Sequence, residues 1–194
     1  MMPVPPLRLH VTRRAIVAAA SLLSALGARA ALDIGERAPD FTASAAMAGR
    51  TFRLTLSEHL AKGPVVLYFF PAAFSEGCSI EAHSFAEAIA QYDALGATVI
   101  GVSGDDIEVL AKFSVQACSG KFTVASDPSL AIVKAFDAVM QTRPDFANRV
   151  SYLIAPSGAI VYGYVNLNPH RHVERTLAAL RLWREQARKP AVAP

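Results

Sequence analysis

Residues 51–56 (TFRLTL) alternate apolar and polar side chains, which predicts a strand with one face buried. Residues 65–70 (VVLYFF) are an unbroken β-prone run and predict a strand covered on both faces, ended by Pro71. Phe85, Ala88, Ile89 and Tyr92 fall at i, i+3, i+4 and i+7, so the spacing predicts a helix over about 75–95. A second buried strand follows at 98–102, a helix at 106–117, a short strand at 122–125 and a helix at 129–136. Strands at 150–154 and 159–165 flank the turn Pro156-Ser157-Gly158. Val173, Leu177 and Leu180 make the apolar stripe of a last helix, whose six Lys/Arg over 170–189 read as a solvated face. Strands alternating with helices, then a hairpin and a helix, predict an α/β sandwich around a mixed sheet. No repeat or long linker interrupts this pattern, so 31–194 reads as one domain.

The first thirty residues have another character. Arg8, Arg13 and Arg14 precede an apolar run over 15–27, followed by Ala28-Arg29-Ala30. A basic start, a short apolar stretch and a small-x-small site read as a secretory signal peptide, cleaved after Ala30. The run is shorter than the roughly 20 residues that span a bilayer. Thr12-Arg13-Arg14-Ala15-Ile16-Val17 resembles the twin-arginine export motif, so a periplasmic location is expected, with membrane contact only through this segment.

Composition bears on partners. Of 194 residues, 53% are hydrophobic and 18% charged, too apolar for a disordered chain. The formal charge is +3 and the pI about 9.0. Residues 1–30 hold four arginines and no acid, so the remainder has 15 basic against 16 acidic side chains. The basic balance therefore gives no argument for nucleic acid, and no aromatic-basic surface pattern appears. Two cysteines cannot build a disulfide scaffold but suffice for a redox pair. The five histidines show no metal-ligand spacing beyond His170-x-His172, read as a surface pair at a helix start. No Gly-rich phosphate loop is present, and Asp105-Asp106 reads as a helix cap. No cofactor and no metal are expected.

The informative segment is Pro71-Ala72-Ala73-Phe74-Ser75-Glu76-Gly77-Cys78, between a buried strand and a helix start. Ligands of α/β sheets bind at this end of the strands. A cysteine in the first helical turn faces unpaired N–H groups and the positive end of the helix dipole, which favour thiolate over thiol. Ser75 can cap the helix or set a hydroxyl beside the sulfur, and Pro71 can wall a pocket without offering an N–H. Cys78 alone would equally suit a small buried hydrophobe.

Pro71-x-x-x-Ser75-x-x-Cys78 resembles the active-site motif of the peroxiredoxins, thioredoxin-fold thiol peroxidases. Six further segments resemble that family: 35–41 (GERAPDF), 65–71 (VVLYFFP), 77–81 (GCSIE), 99–103 (VIGVS), 126–128 (SDP) and 148–154 (NRVSYLI). The likeness spans about 33–185 and is strongest to the Q-type, bacterioferritin-comigratory-protein-like branch. It implies a thioredoxin-like fold, a central mixed β-sheet flanked by helices, with the family's N-terminal extension. It also implies reduction of hydrogen peroxide and small organic hydroperoxides. Cys78 would be the peroxidatic cysteine, Arg149 the donor to thiolate and peroxide, Ser75 the peroxide-holding hydroxyl, Pro71 a shield and Glu81 the carboxylate orienting Arg149. A thiol reductant, a thioredoxin-like or glutaredoxin-like protein or a small thiol, would regenerate the enzyme, and a monomer is expected.

One position departs from the pattern. Many Q-type members carry a second cysteine five residues after the first, where this chain has His83, read as a surface residue. The other cysteine, Cys118, near the end of the helix starting at about 106, would resolve the sulfenic acid of Cys78; the alternative is an inert buried thiol with an external resolver. A redox sensor or a protein thiol–disulfide oxidoreductase are the competing functions. No C-x-x-C is present to support the latter.

Overall fold

The computed structural model describes residues 31–188, so the expected signal segment lies outside the described residues. Two strands, β1 (Thr42–Met47) and β2 (Arg50–Thr55), form a hairpin at the start, and α1 (Leu56–Leu60) follows. Then come β3 (Val65–Phe69), α2 (Glu76–Ala94), β4 (Thr98–Ser103), α3 (Ile107–Gln116), β5 (Thr123–Ser126) and α4 (Ala131–Ala135). The chain ends in the hairpin β6 (Val150–Ile154) and β7 (Ile160–Val165), a 3₁₀ turn at Pro169–Arg171, and α5 (His172–Arg188).

The strands make one seven-stranded sheet in the order β2-β1-β5-β4-β3-β6-β7. β3, β4 and β5 run parallel; β1 and β6 pair antiparallel to this central group. The sheet is mixed and helices cover both faces, as expected. Pleating sends alternate residues of β3 to opposite faces. Val65, Leu67 and Phe69 join Leu56, Val133 and Phe136 under α1 and α4. Val66, Tyr68 and Phe70 join Phe85, Phe113 and Leu180 under α2, α3 and α5.

Two elements were not anticipated, β1 and α1. β1 reads TASAAM, yet it lies inside the sheet between β2 and β5, with Ala43 and Ala45 in the core under α1 and α4 and Ala46 in the one under α3. The expected alternation of β2 does not produce burial: four of its six residues are exposed, as suits an edge strand.

The register of β3 and β6 positions the chemistry. Phe69, at the end of β3, pairs with Val150, at the start of β6. The loop into α2 and the residue before β6 therefore emerge at the same end of the sheet. Val150 faces the α1/α4 core, so Arg149 and Ser151 point to the α2/α5 side.

Candidate active site

Cys78 is the third residue of α2, with Ser75 at the N-cap position. Its side chain is almost fully buried. The Arg149 guanidinium spends its fork on three acceptors: Nη2 donates to Cys78 Sγ at 3.4 Å, Nη1 to Glu81 Oε2, and Nε to the Leu167 carbonyl at 3.0 Å. Glu81 lies about one turn beyond Cys78 on α2 and is fully buried. Cys78, Arg149 and Glu81, separated by up to 71 positions, thus form one hydrogen-bonded cluster. Burial pushes the Glu81 carboxyl up to about 8, against the pull of Arg149. The charges of Glu81 and Cys78 raise Arg149, against its own desolvation.

Ser75 stands apart from this cluster. Its exposed hydroxyl donates to the Ala72 carbonyl at 3.0 Å, and it makes no side-chain cap bond to the helix. Pro71, half-buried, lines a polar cavity of about 330 Å³ with Asp105, Leu130, Lys134 and Phe146. His83 is exposed and faces Glu87 at 3.3 Å, as expected of a surface residue.

Cys118 lies in the turn just after α3, fully buried, with its N–H bonded to the Phe113 carbonyl. Both cysteines are free. Burial pushes the Cys118 thiol up to about 12. Ser119 and Gly120, which follow it, both adopt positive φ. Tyr68 belongs to the same apolar cluster as both sulfurs, its ring stacked on Phe85 at 4.5 Å and its buried hydroxyl without a hydrogen-bond partner.

The sequence reading missed several supporting residues. His172, expected on the surface, is fully buried: Ser151 Oγ meets its Nδ1 at 2.8 Å, the Asn166 carbonyl its Nε2 at 2.8 Å, and the Tyr164 ring packs edge-on at 4.8 Å. The 3₁₀ turn at Pro169–Arg171 leaves His170 outside and turns His172 inward. Asp105 is no helix cap. Its carboxylate accepts from Ala73 N–H and Ser103 Oγ–H, both at 2.7 Å, and so holds the loop leading to Cys78. Asp106 occupies the N-cap position of α3 without a side-chain cap bond. A Cβ on Gly77 would stand 3.2 Å from Arg149 Nη2, so the missing side chain is what lets the guanidinium approach. No sequence period marks these residues; only the fold brings them together.

Residues 34–163 match the AhpC/TSA family. The chain belongs to that family. It is 30% identical over 172 residues to the chloroplastic peroxiredoxin Q of Populus jackii, covering 88% of this chain and 78% of the relative. It is also 30% identical over 156 residues to the chloroplastic 2-Cys peroxiredoxin BAS1 of Hordeum vulgare, covering 76% and 73%. Among solved structures, a PrxQ variant from Xylella fastidiosa superposes with a TM-score of 0.70 at 26% identity, over 79% of this chain and 98% of that one. The protein is a peroxiredoxin with the Q-type likeness read from its motifs, a thioredoxin-like fold and thiol-dependent peroxidase activity.

Proposed function

We propose that the peroxidase reaction of this peroxiredoxin runs on Cys78, with Arg149 as its electrostatic partner. The observation carrying this reading is the guanidinium N–H directed at a buried sulfur in the first turn of a helix. Guanidinium and helix dipole both favour thiolate. The thiolate attacks one peroxide oxygen: an S–O bond forms, the O–O bond breaks, sulfur is oxidised by two electrons, and the leaving oxygen takes a proton as water or alcohol. Arg149 stays charged throughout and offers donors where negative charge develops. Glu81 holds the fork in place. Ser75, exposed at the helix start, holds the peroxide through its hydroxyl, and Pro71 shields the approach. Cys78→Ser abolishes peroxide consumption with a thiol donor while circular dichroism stays unchanged; persistent turnover refutes the assignment.

Cys118 attacks Cys78–SOH only after the end of α3 opens, because in the reduced fold its thiol is buried and held protonated. Disulfide geometry requires Cα atoms within roughly 4.4–6.8 Å. Burial of Cys118 favours a second reading, in which an external thiol resolves directly. A non-reducing peptide map after one equivalent of peroxide decides: a Cys78–Cys118 cross-link supports the first, oxidised Cys78 beside free Cys118 the second. The reductant is a thioredoxin-like or glutaredoxin-like protein or a small thiol, and the protein is a monomer; light scattering showing a dimer or larger species would overturn that. The basic start, short apolar run and Ala28-Arg29-Ala30 of residues 1–30 support export to the periplasm, and N-terminal sequencing of the periplasmic protein should begin at Ala31.

A further inference from the structure

Behind Arg149 lies a buried contact that the reaction above does not use. Glu81 Oε2 takes the Nη1–H of Arg149, but Oε1 is buried with no hydrogen-bond partner. It stands 3.5 Å from Nδ1 of His172, whose side chain is as fully buried as its own. A carbonyl only accepts, so the contact to Asn166 places the ring hydrogen of His172 on Nε2. Nδ1 then takes the Ser151 Oγ–H at 2.8 Å and turns the same electron-rich edge of the ring toward Glu81 Oε1. With Glu81 ionised, a carboxylate oxygen and that edge would face each other without water. A proton on Oε1 removes that conflict and the cost of burying an unpaired carboxylate oxygen there.

The other groups facing this pair are few. Arg149 and Cys78 lie on the Glu81 side, Tyr68 reaches it from β3, and Tyr164 covers His172 from β7. Burial raises Glu81 to about 8 and lowers His172 to about 4, so both directions put the proton on the carboxyl and leave the imidazole neutral.

Buried net charge is costly. With Arg149 always positive, the cluster is neutral in two ways: Cys78 thiol with Glu81 carboxylate, or Cys78 thiolate with Glu81 carboxylic acid. We propose that His172 is a positioning residue that keeps Glu81 protonated while Cys78 is ionised, leaving the Arg149 charge to the sulfur. Glu81 then gives up that proton when oxidation neutralises the sulfur. The balance closes. Thiolate and ROOH give Cys78–SOH and RO⁻; the proton that converts RO⁻ to ROH is matched by the one Glu81 releases. Exchange through solvent is sufficient, because linkage fixes the count and not the route.

This rests on Cys78 being the reacting sulfur, and the test separates the two. The full chain is mixed with one equivalent of hydrogen peroxide in weak buffer with a pH indicator, at a pH where ultraviolet thiolate absorbance shows Cys78 ionised. The wild type is expected to take up close to zero protons per sulfur oxidised, and the isosteric Glu81→Gln about one. Equal counts in the two proteins overturn the proposal, whereas absence of Cys78 oxidation overturns the assignment of the sulfur itself. His172→Phe, which offers Glu81 no acceptor, should move the count to about one, and His172→Gln, whose amide oxygen accepts, should restore it toward zero. A wild-type count in a folded His172→Phe removes His172 from the scheme.

Discussion

Arg149→Lys tests whether the guanidinium acts through its charge or through its geometry. The substitution keeps the positive charge opposite Glu81 and loses the planar fork. In the native site three acceptors surround that fork: the Leu167 carbonyl at 3.0 Å, Glu81, and Cys78 Sγ at 3.4 Å. An ammonium concentrates its donors at one point. It cannot reach all three acceptors in their present directions, so the N–H aimed at the sulfur loses its fixed direction. Losing one preorganised donor to developing negative charge costs about 2.7–4 kcal/mol, or roughly a 10²–10³-fold fall in rate. The assay is the second-order rate constant for Cys78 oxidation by hydrogen peroxide, measured by stopped flow. Arg149→Met provides the contrast: it strands a buried carboxylate as well, adding about 3–5 kcal/mol of lost stability in urea unfolding wherever Glu81 is ionised. A rate for Arg149→Lys within about threefold of wild type, a difference near 0.7 kcal/mol, would refute the geometric argument.

Other substitutions probe neighbouring parts of the structure. Gly77→Ala sets a methyl 3.2 Å from Arg149 Nη2; peroxide reactivity should fall about tenfold while the melting temperature holds, since alanine suits a helix better than glycine by about 1 kcal/mol. Gly101→Ala would put a Cβ 2.8 Å from the Tyr68 ring, and urea unfolding should show a loss of about 1–3 kcal/mol from overpacking. Glu81 is raised from 4.5 to about 8. Its contribution to stability is therefore full below pH 4.5 and lost as pH rises through about 8. His172 is lowered from 6.5 to about 4, so its contribution is full above pH 6.5 and lost as pH falls through about 4. Between pH 6.5 and 8 only Glu81 changes, and melting curves should show wild-type stability declining there relative to Glu81→Gln.

What could be read from the chain follows from which forces leave a local trace. Continuous apolar runs announce buried parallel strands, so β3 and β4 were placed within a residue, and the i, i+3, i+4, i+7 spacing of α2 placed Cys78 in a first helical turn. β1 left no such trace. Half of its residues are alanine, which is weak in strand preference. α1 is too short, at five residues, to develop a helical period. At the site, Cys78 and Arg149 were legible through motif resemblance. Their contact with each other is a property of strand pairing. His172 misled because a His-x-His pair at a helix start suits solvent equally well, and only the packing of Tyr164 and the loop from Asn166 decides otherwise. Asp105 misled for a similar reason: its carboxylate takes the Ala73 N–H of the loop after β3, a partner distant in the chain.

The pairing of Phe69 with Val150 makes peroxide reactivity a readout of folding fidelity. If β6 slipped by a single position, every side chain on it would change sides. Arg149 would turn away from the sulfur and a hydrophobe would take its place. Such a chain could keep native helix content and compactness and still be chemically silent. The speed of its reaction with peroxide therefore reports correct strand alignment in a way that bulk spectroscopy cannot.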